Sequence, residues 1–259
     1  MLKRIISYVI RFVPRPLLQI ISPWVLPILA LFYRGNRVAC PICQSQFRQF
    51  LPYGRGASAR PNALCPKCLA LERHRLIWLY LQQQTDFFTR PQSLLHIAPE
   101  PCFITYLSRQ QGLQYITADF ESPLAQVKMD IHQMPFEDNQ FDVVFCNHVL
   151  EHVTDDIQAM REINRVLKPN GWAILQVPFI QPDLATTFED TTLTDPAERF
   201  RLFGQEDHVR MYGQDYPQRI AQAGLLAEAN RFVFSLPPET LQRYALPATE
   251  IIYIGRKKS

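Results

Sequence analysis

Cys40-Pro41-Ile42-Cys43 and Cys65-Pro66-Lys67-Cys68 are two matched CPxC knuckles, and no other feature of the chain restricts its fold as tightly. Two residues between thiolates let each knuckle turn so sharply that backbone amides face the sulfurs. Two such turns complete a closed tetrahedral site of four thiolates, the donor set and spacing of a structural zinc ion. A thioredoxin-like redox site uses one pair on a βα turn, so two matched pairs argue against it. The other cysteines, Cys102 and Cys146, stand alone, which is not a disulfide framework. Paired CxxC spacing without a cleavable secretory signal points to metal ligation in a reducing, cytoplasmic compartment. Between the knuckles, Phe47, Phe50, Leu51 and Tyr53 precede Gly54 and Gly56. That reads as a short hairpin whose core is too small to hold together without the ion. Cys40, Cys43, Cys65 and Cys68 are therefore expected to bind Zn2+ within a small ribbon over residues 37–75.

Beyond the second knuckle, apolar residues at 69, 71, 76, 77, 79 and 81 follow a helical period, and the helix should end before Pro91. Its cluster Glu72-Arg73-His74-Arg75 reads as a solvated face, or as a group placed near a cofactor or substrate. The four thiolates already satisfy the ion, which leaves His74 no ligand role.

Ahead of the ribbon, Lys3, Arg4, Arg11 and Arg15 precede an uncharged run over residues 16–33 that includes Leu17, Ile20, Trp24 and Leu26. Pro23 and Pro27 would each remove a helix hydrogen bond, and the run only just reaches the roughly 18 to 20 residues that span a bilayer. Pro27 also interrupts the apolar core that a signal peptide requires, and no small-x-small cleavage site follows. Two readings stay open for this hydrophobic and basic arm, residues 1–36. It lies in the interface of a membrane as a peripheral contact on the inner face, or it packs as a helical arm on the protein's own core.

From Gln92 onward, β-like runs alternate with helical stretches, the pattern of a doubly wound parallel sheet. Expected strands are residues 93–98, 114–118, 141–147 and 172–177, with helices over 102–111 and 155–166 and a turn at residues 168–171. Asp119 closes the second strand, where an acid outside the sheet's carboxyl edge can accept both hydroxyls of a nucleoside's ribose. With 47% hydrophobic residues and 27 basic against 24 acidic ones, the chain can bury a core, and a purely electrostatic nucleic-acid arm is excluded. Only 9 glycines accompany 21 prolines, and no GxxxxGK[ST] occurs, so a phosphate-binding P-loop is excluded too. Nor does a GxGxxG open the first helix, as a Rossmann dehydrogenase would need.

Residues 141–153, the Leu167-Lys-Pro-Asn-Gly171 turn and the strand Trp172-Ala-Ile-Leu-Gln-Val-Pro178 resemble the class I S-adenosylmethionine-dependent methyltransferases. The knuckles followed by Leu69-Ala-Leu-Glu-Arg-His-Arg75 and Leu94-Leu-His-Ile-Ala-Pro-Glu100 resemble a bacterial subgroup of them. The resemblance covers residues 92–259. It implies an α/β, Rossmann-like doubly wound sheet closed by an antiparallel hairpin from residues 226–234 and 249–254, within a domain over 76–259. It implies S-adenosylmethionine as cofactor: residues 96–100 face its methionine portion, Asp119 holds the ribose, Asp130 and Ile131 flank the adenine, and Asn147 lines the site. Where such enzymes carry an acid and a GxG turn, this chain has His96 and Ala98-Pro99-Glu100. A proline-stiffened turn cannot let a backbone approach as closely as glycine does. Glu100 is then the acid available for the cofactor's ammonium.

After the fourth strand come His148, Glu151 and His152, where a methyl group would be exposed. They are the candidates for removing a proton from an acceptor, His148 and Glu151 first, or Glu151 and His152 simply cap and solvate the helix start. The segment also resembles the ExxEH metal patch of membrane-associated quinone O-methyltransferases, with His148 in place of the first acid. Residues 178–215 form a long insertion expected to be a structureless lid or binding element, with His208, Arg210 and Tyr212 on the substrate side or serving as loop anchors. The acceptor expected is a small or lipid-linked molecule. One rival is RNA, docked through the ribbon if Arg55, Arg60, Lys67, Arg73 and Arg75 share a face. Another is a non-catalytic binding module with a degenerate nucleotide pocket.

Overall fold

Each knuckle begins where a strand ends. In the computed structural model, which describes residues 26–54, 59–178 and 183–259, strand β1 (Arg34–Cys40) pairs antiparallel with β2 (Ser45–Phe47). Cys40 lies opposite Ser45, so the first knuckle is the hairpin turn. Strand β3 (Leu51–Tyr53) pairs antiparallel with β4 (Arg60–Leu64), and the second knuckle follows β4 directly. A left-handed residue leaves each knuckle, Gln44 at φ 54° and Leu69 at φ 62°. Leu69 N–H donates to the Cys65 carbonyl at 3.0 Å, and helix α1 (Glu72–Gln84) starts soon after.

The chain divides into two units by contact, one of residues 1–79 with 236–247 and one of residues 80–235 with 248–259. In the first, the face read as solvated is not so: His74 and Arg75 are buried. The Arg75 guanidinium donates to the carbonyls of Ala63 and Ala70, each at 2.8 Å, and of Tyr244 and Ala245 at 2.6 and 2.7 Å. Its carbon lies 4.3 Å from the centre of the Phe50 ring. His74 Nδ1 accepts from the Leu71 N–H. A charge can be buried when each donor finds an acceptor, and here half of the acceptors come from residues 236–247, far off in sequence. The arm reading for residues 1–25 falls outside the described residues. Residues 26–32 are helical, with Ile28, Leu31 and Phe32 exposed. Among the described residues no helix is long and apolar enough to cross a membrane.

In the second unit every residue of β5 (Gln92–Ile97) is buried, as a strand covered on both faces must be. It pairs in parallel with β6 (Leu113–Asp119) and with β8 (Phe141–Asn147). Beyond β6 lies β7 (Val127–Lys128), and beyond β8 lies β9 (Leu167–Gln176), both parallel. Strand β9 absorbs the expected turn at 168–171 as a bulge, because its pairing with β8 shifts between Phe141 opposite Leu167 and Val143 opposite Trp172. Gly171 is needed there: a Cβ would meet the Lys168 carbonyl oxygen at 2.8 Å and that of Asp142 at 3.0 Å.

Helix α2 (Pro101–Leu107) follows β5, and α3 (Asp156–Val166) follows β8, capped by the Asp155 side chain accepting from Gln158 N–H. The insertion is not structureless, which corrects that expectation. Strand β10 (Phe188–Glu189) pairs antiparallel with β11 (Arg210–Met211), and α4 (Pro196–Phe203) lies between them. Asp195 caps α4, Pro196 presets its first turn, and Gly204 at φ 82° ends it. Helix α5 (Tyr216–Gln222) leads to β12 (Leu226–Asn230), which pairs antiparallel with β13 (Ile252–Arg256), itself antiparallel to β9. The seven-stranded order β12-β13-β9-β8-β5-β6-β7 is a Rossmann-like α/β sheet with the expected closing hairpin.

Candidate functional site

Cys40 Sγ lies 3.6 Å from Cys68 Sγ, and Cys43 Sγ lies 3.7 Å from Cys65 Sγ. Zinc–sulfur bonds of about 2.3 Å in a tetrahedron set sulfurs roughly 3.8 Å apart, whereas a disulfide needs about 2.05 Å. All four ligand atoms lie within 4.8 Å of one another and the cysteines are free, so the donor set fits a tetrahedral metal ion. Burial holds the Arg75 guanidinium below its usual range, a shift that the Cys40 and Glu72 charges only partly offset.

At the carboxyl edge of the sheet, two residues that are not glycine hold left-handed backbone, Ala98 at φ 50° and His148 at φ 55°. Each stands one residue beyond the end of a central strand, β5 and β8, which are neighbours. Such conformations cost about 1–3 kcal/mol apiece and gather at functional sites. Ala98 thus takes a backbone shape usually reserved for glycine. Between these points the Asn147 side chain is buried, and among the described residues neither its oxygen nor its nitrogen has a hydrogen-bond partner.

His96 is buried within β5. Its Nδ1 faces the Tyr115 hydroxyl at 2.8 Å, and its Nε2 makes a short contact with Glu100 Oε2. Burial first, then the Glu100 charge, pushes the Tyr115 phenol up. A phenol that stays protonated donates to Nδ1, so the Nε2 proton is directed at Glu100. The Glu100 carboxylate is thereby held at the mouth of the turn, just before α2.

Asp119 ends β6 with Oδ1 accepting from the N–H groups of Glu121 and Ser122, at 2.8 and 2.6 Å. Its Oδ2 takes no part in those two bonds. Beside it the Phe120 ring is 71% exposed, a large apolar face with no cover. Asp130 accepts from the backbone N–H and the ring of His132, at 2.9 and 2.6 Å. The backbone bond from His132 is the chief reason its carboxyl lies below the usual range. Ile131 is buried among the core side chains.

On the far side of His148 the carboxylate of Glu151 is buried, and His148 Nδ1 stands 3.2 Å from its Oε1. Burial alone would raise the Glu151 carboxyl, but the His148 bond and the nearby His148 and His152 rings outweigh it and hold it low. His208 is buried too, and that burial pulls its imidazole down. Arg210 and Tyr212 do not present free groups. Arg210 donates to the carbonyls of Leu150, Val153 and Thr154 and to Glu189, pinning the loop that carries Glu151 and His152. Tyr212 donates to Asp156 Oδ2 at 3.0 Å, and Arg219 binds both oxygens of that same buried carboxylate.

Sequence reasoning missed Tyr115, Phe120, and the Asp156–Arg219 pair. Phe120 had one signal, a lone aromatic directly after the strand-ending acid. The others had none, since their partners lie 19 to 63 residues away.

Residues 95–175 match the family described as a methyltransferase domain. Over 60 residues the chain is 43% identical to the ubiquinone/menaquinone biosynthesis C-methyltransferase UbiE of Idiomarina loihiensis, covering 23% of this chain and 24% of that protein. Over 63 residues it is 38% identical to the 2-phytyl-1,4-naphtoquinone methyltransferase of Trichormus variabilis, covering 24% of this chain and 28% of that one. The chain thus matches only about a quarter of the length of these relatives. Among solved structures, it is similar to 1,6-didemethyltoxoflavin-N1-methyltransferase of Burkholderia thailandensis, with TM-score 0.45 and 13% identity over 80% of this chain and 99% of that one. At that level the likeness carries no functional argument. The matched segment begins within β5 and ends within β9, and so takes in both left-handed turns, Asp119 and Asn147. Residues 95–175 thus match a methyltransferase-domain family, and they lie on a mostly parallel α/β sheet.

Proposed function

We propose that the chain transfers a methyl group from S-adenosylmethionine, bound at the carboxyl edge of β5, β6 and β8, to a small or lipid-linked acceptor, and that the four thiolates hold a structural zinc ion. The observation that carries this reading is the pair of left-handed residues, Ala98 and His148, flanking the buried and unpartnered Asn147 amide at adjacent strand ends. Strain and an unsatisfied amide side by side cost several kcal/mol together. A ligand that hydrogen-bonds the amide gives part of that back.

S-adenosylmethionine, when bound, supplies an electrophilic methyl group whose transfer is an in-line displacement. Asp119 Oδ2 accepts from ribose hydroxyls, the Phe120 ring offers a face to the adenine, and Glu100, steadied by His96, pairs with the ammonium. His148 Nε2 is buried without a partner. It is the group to receive a proton when the acceptor must lose one, while Glu151 holds Nδ1 and fixes the ring. Positioning supplies most of the rate in such a displacement.

The likeness to quinone methyltransferases supports an apolar acceptor, as do the exposed Ile28, Leu31 and Phe32 near the start of the described chain. The RNA alternative needed a basic face including Arg75 and Arg60. Arg75 is buried and Arg60 is paired with Glu72 at 2.9 Å, so that face is depleted.

Calorimetric titration of the zinc-loaded protein with S-adenosylmethionine tests the reading. Saturable binding is expected, weakened about tenfold or more by Asp119→Ala, the loss of one charge-assisted bond pair. No binding to the wild type, or equal binding to the variant, sinks it. Incubation with labelled cofactor and fractionated extract then shows whether lipid, small molecule, RNA or protein takes up the methyl group.

A further inference from the structure

Three buried polar atoms without hydrogen-bond partners crowd the start of the loop after β8: His148 Nε2, Glu151 Oε2 and His208 Nε2. An unpaired buried acceptor costs about 1–3 kcal/mol, more when charged. Two of these residues, Glu151 and His208, belong to a tighter group. A carboxylate oxygen of Glu151 and one ring nitrogen each of His152 and His208 lie within 4.8 Å of one another. The two imidazoles meet edge to face, with ring centres 4.8 Å apart and planes at 82°. We propose that Glu151, His152 and His208 bind a divalent transition-metal ion, of the zinc or cobalt type, with a coordination position left open. Nothing in that donor set depends on methyl transfer.

The protonation pattern favours the assignment. His152 Nδ1 faces the Asp207 backbone carbonyl at 3.2 Å, so its proton is used there and the Nε2 lone pair is turned to Glu151, 3.9 Å from Oε1. On His208 the backbone of Phe203 bonds the ring while Nε2 has no partner. A metal-binding histidine characteristically gives its other ring proton to a carbonyl or carboxylate, which orients the lone pair on the ion. His148 is not among the donors; from its 3.2 Å contact with Oε1 it steadies the Glu151 carboxylate from outside. The third donor comes instead from the insertion. That placement is rigid, because Val209 N–H donates to the Glu151 carbonyl at 3.0 Å and Arg210 clamps the carbonyls of Leu150, Val153 and Thr154. Donors on one zinc ion at about 2.0–2.1 Å lie roughly 3.3 Å apart. Closing to that spacing draws the donors together, and His152, 34% exposed, is the least buried of the three. Two imidazoles with one carboxylate suit zinc, cobalt, nickel or iron, whereas magnesium prefers an all-oxygen shell.

The test uses the full-length protein with zinc already on its four thiolates and Co2+ as the added probe. Saturable uptake of a further equivalent is expected, with the visible absorption of nitrogen and oxygen ligation and no thiolate charge-transfer band. Excess Mg2+ should not displace it. His208→Ala and His152→Ala should each weaken uptake by at least about tenfold while the thiolate-bound zinc stays in place. His152→Ala decides the matter alone if the buried His208 variant does not fold. Absence of saturable cobalt binding to the wild type overturns the site, as does uptake unchanged in His152→Ala.

Discussion

Replacing Arg75 by methionine removes a buried cation that ties the thiolate unit together. Two of its bonds, to Ala63 and Ala70, are fully buried, and two, to Tyr244 and Ala245, are partly so. Each fully buried carbonyl left without a donor costs about 1.5 kcal/mol, and the partly buried ones, which water can reach, about half that. Loss of the guanidinium–Phe50 contact adds about 1 kcal/mol. Methionine escapes the desolvation that the guanidinium suffers, which returns some of this total, so the expected net loss is about 3 kcal/mol. Arg60→Met is the control. Its ion pair with Glu72 is half exposed on the arginine side and should contribute about 0–1 kcal/mol. Lysine at 75 should not rescue, because a single ammonium has three donors and no planar fork to reach four carbonyls. Urea unfolding of the full-length, zinc-loaded protein, with zinc release followed by a chromophoric chelator, reads this unit in particular. An Arg75→Met midpoint equal to that of Arg60→Met would refute the reasoning.

Metal removal should separate the two units: a strong chelator under reducing conditions should abolish amide protection in β1 to β4 while β5, β8 and β9 keep theirs, as seen by hydrogen exchange. Uniform protection after complete zinc loss would show that the ribbon folds without the ion. Asp142 sets a pH dependence. Burial opposes its ionisation, but Lys168 Nζ at 2.8 Å and the Ser93 hydroxyl and N–H outweigh that and lower its pKa. A depressed carboxyl contributes its stability above the unfolded value, about 3.9, and loses it as pH falls through the folded value. Asp142→Asn should therefore cost about 1 kcal/mol at neutral pH, discounted for the exposed lysine, and progressively less below about pH 4. A gap between variant and wild type that is the same at neutral pH and in strong acid, measured by urea denaturation, would count against this.

Local chemistry by itself determined the two knuckles, the strands and helices of the alternating sheet, and Asp119 at a strand end. Those signals are short in range: thiolate spacing within four residues, apolar periodicity within ten, an acid directly after a strand. The same locality explains the errors. Glu72 to Arg75 has the composition of a wet helix face, yet Arg75 is buried because its acceptors arrive from Tyr244 and Ala245, 169 and 170 residues downstream. Residues 178–215 look structureless because α4 and the two-residue strands β10 and β11 are too brief for periodicity to register. Arg210 and Tyr212 read equally as substrate groups or loop anchors in the sequence, and only the fold shows their donors spent on Leu150, Val153, Thr154 and Asp156. Only the tertiary structure put His208 beside Glu151 and His152, and gave Ala98 and His148 their left-handed turns at neighbouring strand ends. A side chain's partners and a residue's φ are set by whatever segment the fold brings alongside, and that is a property of packing, not of sequence neighbours.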